Sequence, residues 1–193
     1  MAVRTSMTSL IFRLRTMTET EQGTETLQDE DLWTDARLQE FLDSNRTDHV
    51  NIQLVPVPYY VDGTWTTIRY EIPIGNSQNI EPSGSDSLFA VVDSIGNAAP
   101  SHTVYLDAGY IIFDSTTSGL AYFLRASWYD IRHAAAEIWK QKAAQRASLI
   151  EWKAGQHSLK EDQEYKHCIE MYRLYASGIR AVRLRKEGYA NSV

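Results

Sequence analysis

Five histidines and one cysteine are the side chains best equipped for metal binding or nucleophilic attack, and spacing decides whether they can act together. The histidines are His49, His102, His133, His157 and His167; the cysteine is Cys168. His167 and Cys168 are adjacent, and neighbours on a helix point in different directions. One imidazole and one thiolate also fall short of the four ligands of a structural zinc site. The pair therefore reads as a surface histidine beside a core cysteine. Asp130, His133 and Glu137 sit at three- and four-residue spacing, which is the spacing of helical ion pairs. The sequence contains no HExxH, GxSxG, Walker glycine loop or GxGxxG. Ser83-Gly84-Ser85-Asp86 reads as a flexible loop and not as a phosphate cradle. No catalytic residue, metal ligand or cofactor is expected, and the chain is not expected to be an enzyme.

Two further sets of residues are suited to contact. Tyr165, Tyr172 and Tyr175 could stack on nucleic-acid bases, but at helical spacing they read as core or interface. Tyr59, Tyr60, Trp65 and Tyr110 could form an aromatic face that takes a sugar or peptide, so a ligand- or peptide-binding module is the alternative reading. The sharpest local signal is the C-terminal stretch Arg180, Val182, Arg183, Leu184, Arg185, Lys186 and Tyr189. Cations favour a helix C-terminus, yet four bases in the seven residues 180–186 exceed that need. Interleaved with Val182 and Leu184, they suit docking to an acidic, partly apolar protein surface.

The elements that would hold these residues can be bounded by composition. The chain has 193 residues, 43% hydrophobic and 23% charged, with a formal charge of −6. That is a globular composition with room for one sizeable core or two small ones. Its net charge argues against non-specific binding to free nucleic acid. With one cysteine, no intrachain disulfide can form. No stretch approaches the roughly 18–20 apolar residues that span a bilayer. Arg13 and Arg15 interrupt the run Leu10-Ile11-Phe12, so no signal-peptide core is read there and the cytoplasm of the producing cell is expected. Charge is uneven: residues 1–18 carry +3, 19–48 carry −8, 50–113 carry −5 and 117–187 carry +5. Such asymmetry is the pattern of opposite faces meeting between neighbours.

All five prolines lie between Pro56 and Pro100, which leaves the flanks free to be helical. Leu10, Ile11, Leu14 and Met17 make one helical stripe, with Thr8 or Ser9 as its cap. Thr34 caps a second helix that runs to about Arg46, with Trp33 stapled on Leu38. Residues 50–114 read as strands: Val50-Ile52-Leu54, a hairpin turning at Asp62-Gly63, then 88–92, 103–106 and 110–113, with a long loop from Gly75 to Ser87. Leu120, Phe123, Leu124, Trp128, Ile131, Ala135, Ile138 and Trp139 recur at helical spacing and predict a helix over 119–147. Residues 149–152 read as extended. Ser158–Glu161 forms a capping box that opens a last helix. The expected fold is α+β. A small antiparallel helical bundle, made of N-terminal helices over 1–48 and a long helical hairpin over 116–178, carries an inserted antiparallel β region over 49–115 and a basic tail over 179–193.

The order of these segments resembles the head–tail adaptor (head completion, or connector) proteins of long-tailed bacteriophages. The resemblance is carried by Leu10-Ile11-x-Arg13-Leu14-Arg15, by Trp33-Thr34-Asp35-x-x-Leu38-Gln39, by Ala134–Ala144 and by Ala154–Leu159, followed by the helix with Tyr165 and Tyr172. It implies a structural virion protein at the head–tail interface, made in the host bacterial cytoplasm. Such proteins form a homo-oligomeric ring, usually a dodecamer, beneath the portal protein. They receive the tail completion or stopper protein on their other face. Genomic DNA passes through their channel without sequence-specific binding, and no membrane is involved. Carried onto this chain, the portal-docking tail would be Arg180 to about Val193.

Overall fold

The computed structural model describes residues 3–20, 26–27, 30–152 and 158–177. After a 3-10 turn at Thr5–Met7, helix α1 spans Thr8–Thr18; two-residue strands β1 (Thr26–Leu27) and β2 (Glu30–Asp31) pair before helix α2 (Asp35–Ser44). Strands β3 (Arg46–Gln53), β4 (Val55–Val61), β5 (Thr64–Glu71), β6 (Ala90–Asp93), β7 (His102–Tyr105), β8 (Tyr110–Phe113) and β9 (Tyr122–Tyr129) follow. Helices α3 (Ile131–Trp152) and α4 (Ser158–Ala176) complete the described chain.

The seven longer strands make two antiparallel sheets. One has the order β3-β9-β6 and the other β4-β5-β8-β7. Leu54 is the crossing point: its N–H bonds to the Tyr122 carbonyl at 2.9 Å while the chain passes from β3 into β4. Side chains from both sheets meet in one core. Leu124 and Ala126 from β9 and Val91 from β6 pack with Tyr70, Ile111 and Phe113 from the other sheet. The rings of Tyr70, Phe113 and Tyr122 contact one another, with centroids 4.6–5.5 Å apart. The Tyr70 hydroxyl, which burial holds above its usual pKa, bonds to Thr117 Oγ1 and donates to the Leu120 carbonyl.

A second core is helical. Leu10, Ile11 and Leu14 of α1, Leu38 and Leu42 of α2, and Ala134, Ala135 and Ile138 of α3 close around Trp33, with Tyr129 at the end of β9. The alanines are what allow α3 to approach α1 and α2 closely. Trp139 Nε1 donates to the Met17 carbonyl at 3.1 Å, and Lys142 Nζ donates to the Glu19 carbonyl at 3.3 Å, so two α3 side chains complete the C-terminal end of α1. Helix α4 packs on α3 through Trp139, Ala143 and Cys168. Among the described residues, no helix is long and apolar enough to cross a membrane.

The expected architecture is corrected here. The fold is not a helical bundle that carries an inserted β region, and residues 116–178 are not a helical hairpin. Residues 122–129 are a strand, and it is the central strand of its sheet, pairing with β3 from Arg46↔Tyr129 to Gln53↔Phe123 and with β6 from Ala90↔Arg125 to Asp93↔Tyr122. The physical reason is that two periods overlap. Tyr122, Leu124 and Ala126 alternate with less buried residues and satisfy a strand, while Phe123, Leu124 and Trp128 satisfy a helix. Partners on both sides, distant in sequence, select the strand. Asp130 then opens α3, its Oδ1 accepting from the His133 N–H at 3.0 Å. It is therefore a cap and not the ion-pair partner that spacing suggested. Residues 149–152, expected to be extended, continue α3.

Candidate interaction surface

The two-residue turn of the β4–β5 hairpin follows from Asp62-Gly63. Both take positive φ, 48° and 79°, as the hairpin turn with left-handed residues requires. Val61 pairs with Thr64, Tyr60 with Trp65 and Tyr59 with Thr66. Beyond a register shift at Val57/Tyr59 the ladder resumes, with Val57 opposite Arg69 and Pro56 opposite Tyr70. Alternation along β4 thus places Tyr60 on the face of Pro56 and Tyr70, the face that packs on the other sheet. Near the turn that face stays open. Tyr60 is 62% exposed and Trp65 69%, their rings edge to face at 5.3 Å. On the opposite face Tyr59 and Val61 are also exposed. The hairpin end is therefore an apolar finger, with large side chains turned to solvent on both faces.

Lower on the same sheet, Arg69 lies 4.3 Å from the centroid of the Tyr110 ring and 3.6 Å from Glu71 Oε1. Tyr110 is thus half-covered by a cation, and the four aromatic residues expected to act together do not form one face. Tyr60 and Trp65 form a pair, Tyr59 lies behind them and Tyr110 belongs to a separate cluster with Tyr105 at 4.9 Å.

An open groove lies between α2 and α3. A cleft of about 640 Å³ is lined by Phe41 and Ala144 and edged by Arg37, Glu40, Glu137 and Lys140. Arg37 is held by bonds to the Leu32 carbonyl and Gln141 Oε1 and lies 5.1 Å from the Trp33 centroid. Glu137 accepts from Asn45 Nδ2 at 2.9 Å and faces His133 Nε2 at 3.8 Å.

A dense cluster of titratable groups lies elsewhere, and no local sequence pattern announces it. Glu81, 1% exposed and set in the long loop, accepts from Ser6 Oγ (2.6 Å), Tyr129 OH (2.6 Å) and Arg4 Nε (3.1 Å). Arg4 also pairs with Asp43 at 2.5 Å and donates to the Tyr129 hydroxyl at 3.0 Å. Burial works to lower the Arg4 pKa, but the Asp43 bond and the surrounding negative groups outweigh it and hold the guanidinium charged. Burial, then the bond to Glu81, pushes the Tyr129 phenol well above its ordinary value. Each of these side chains is satisfied by the others, so the cluster ties the N-terminal segment to α2, the loop and β9.

The other expected site residues divide plainly. Arg180, Val182, Arg183, Leu184, Arg185, Lys186 and Tyr189 lie outside the described residues, as does His157. His167 is half-exposed, edge-on to Trp139 at 5.4 Å, beside buried Cys168. Tyr165, Tyr172 and Tyr175 pack on the α3–α4 core, where burial raises the Tyr175 pKa. Among the described residues, no group of three or more histidine, cysteine or carboxylate side chains is placed to hold a metal. No family model, curated protein or solved structure matches the chain.

Proposed function

We propose that this chain is a structural head-to-tail adaptor of a long-tailed bacteriophage. It forms a ring beneath the portal, joins the DNA-filled head to the tail and lines the channel through which DNA leaves. It acts by assembly, without catalysis, and its place is the virion. The observation that carries this reading is the convergence of the segments behind the resemblance. Leu10, Ile11 and Leu14, Trp33 and Leu38, and Ala134, Ala135 and Ile138 come from three distant stretches and pack into one core. The reading stands without the helical bundle that the resemblance implied.

Portal docking is assigned to Arg180 through Tyr189, on their charge and interleaved apolar residues. The remaining partners are further copies of the chain and the tail completion or stopper protein. Electron microscopy of portal rings mixed with the protein tests the proposal: an added ring of density on one face of the portal is expected, and bare portal rings would overturn it.

A second reading, a module that binds a sugar or peptide, is favoured by the exposure of Tyr60 and Trp65. A fluorescence titration with soluble glycan fragments tests it. Saturable binding that Trp65→Ala abolishes would support that reading.

A further inference from the structure

We infer that Asp43, Glu81 and Tyr129 form a guanidinium socket that the chain plugs with its own Arg4. When the N-terminal strap, residues 3–6, lifts away, the socket takes an arginine side chain from a second polypeptide. This stands apart from the adaptor reading and does not rest on it. Arg4 Nη1 and Nη2 donate to the two oxygens of Asp43 at 3.2 and 2.5 Å. Nε donates to Glu81 Oε1 at 3.1 Å, and Nη2 also donates to the Tyr129 hydroxyl at 3.0 Å. A guanidinium carries five N–H donors in one plane, and most of them are taken here. Its fork meets Asp43 at two points, the pairing a carboxylate makes best with this group. An ammonium ion, with its donors on one nitrogen, lacks the width to meet Asp43 and Glu81 together in this way.

The socket is held by groups that do not belong to the strap. Asp43 lies in the last turn of α2. Tyr129 ends β9, the central strand of its sheet, where it pairs with Arg46. Glu81 is anchored through its backbone N–H, which donates to the Ser127 carbonyl at 3.0 Å, and through Oε2, which accepts from the Tyr129 hydroxyl. Ile80 before it forms a bridge with Trp128. With Arg4 withdrawn, two carboxylates remain together, and Glu81 is almost fully buried. A buried carboxylate without a cation is costly. The open socket therefore favours a replacement, and its width and its several acceptors select a guanidinium.

The strap can leave without undoing either core. Val3, Arg4, Thr5 and Ser6 give no side chain to the apolar clusters, and Met7 is the first residue to do so. Beyond its own turn, the strap's polar anchors are few. They are the Arg4 guanidinium, the bond from the Arg4 N–H to Gln39 Oε1 at 2.8 Å, and the bond from Ser6 Oγ to Glu81 Oε1 at 2.6 Å. Ser6 also lies against Gly84, where a Cβ would stand 3.0 Å from its own Cβ. A segment with few buried apolar contacts belongs to the part of a protein that opens locally, below the free energy of global unfolding.

Chemical rescue of the full-length protein tests this. Arg4→Ala opens the socket. Methylguanidinium chloride, raised to about 50 mM, stays far below the molar range in which guanidinium unfolds proteins. It should lift the melting temperature of Arg4→Ala saturably, by about 3–5 °C at about ten times Kd. Acetyl-argininamide, the arginine of a polypeptide, should do the same, and methylammonium chloride should not. The parent, whose socket is filled, should show no saturable rise, and neither should Arg4→Ala combined with Asp43→Ala. If Arg4→Ala is too unstable to fold alone, the same titrations are read as recovery of its circular-dichroism signal. Gly84→Ala leaves every socket residue in place. Gly84 does not take positive φ, so the alanine acts by pressing on Ser6. It should hasten hydrogen exchange over residues 4–7 and leave α2 and β9 protected. Absence of rescue, equal rescue by methylammonium, failure of acetyl-argininamide, rescue that survives Asp43→Ala, or exchange hastened equally in strap and cores would each overturn the inference.

Discussion

Arg4 shows how much a single side chain can tie together. Its guanidinium reaches Asp43 on α2, Glu81 in the long loop and Tyr129 on β9, and its backbone N–H donates to Gln39 Oε1 at 2.8 Å. Removing one partner of a buried ion pair leaves the other charge unpaired, at a cost of roughly 3–5 kcal/mol. Arg4→Ala should therefore lower the urea-unfolding free energy by about that much, because Glu81 stays buried. Arg4→Lys keeps the charge but loses the fork of donors, so it should recover only part of the loss. Tyr129 contributes to the alkaline limit. Its pKa is raised in the folded protein, so its contribution is complete below the unfolded value of about 10 and is lost as pH rises from there through the folded value. Unfolding measured between neutral pH and pH ~11 should show stability falling above about pH 10. In Tyr129→Phe that fall should be shallower, from a lower neutral starting point.

At the scale of elements, Thr34 gives the cleanest local case. Its Oγ1 accepts from the Arg37 N–H at 3.3 Å, and Trp33 before it packs in the same core as Leu38. Thr34→Ala should cost about 1 kcal/mol in urea unfolding, the usual loss of an N-cap. This helix start was legible because the cap, the staple and the apolar stripe all lie within a few residues. The Asp62-Gly63 hairpin was legible for the same reason. Strand β9 was not. Its residues fit both periods, and the choice is made by β3 and β6, which no local pattern links to it. The latch around Glu81 was hidden likewise, since an acid in a polar loop looks ordinary until Arg4, Ser6 and Tyr129 surround it. The exposure of Trp65 could not be read either. Alternation along β5 alone would set it on the face opposite Tyr70; the register shift and its pairing with Tyr60 bring it to the packed face, and only the reach of the hairpin past the core leaves it open.

At the scale of the molecule, one core is shared by the two sheets and the other by the helices, an apolar finger projects from the first, and the sequence continues past α4 into a cluster of bases. An assembling subunit needs such unlike surfaces, one for its neighbour and one for the ring it sits on. The tail docking to the portal is the central claim, and it can be separated from folding. Among the described residues, the helical core is built from residues before 178, and a chain ending at Gly178 should keep the melting temperature of the full protein. Co-sedimentation of the two forms with purified portal rings of the proposed partner phage is the most direct measurement. The full chain should pellet with the rings in a saturable amount, and the shortened chain should stay in the supernatant. Equal pelleting of both forms would remove the docking role from the tail. If neither form pelleted, the adaptor reading itself would be contradicted.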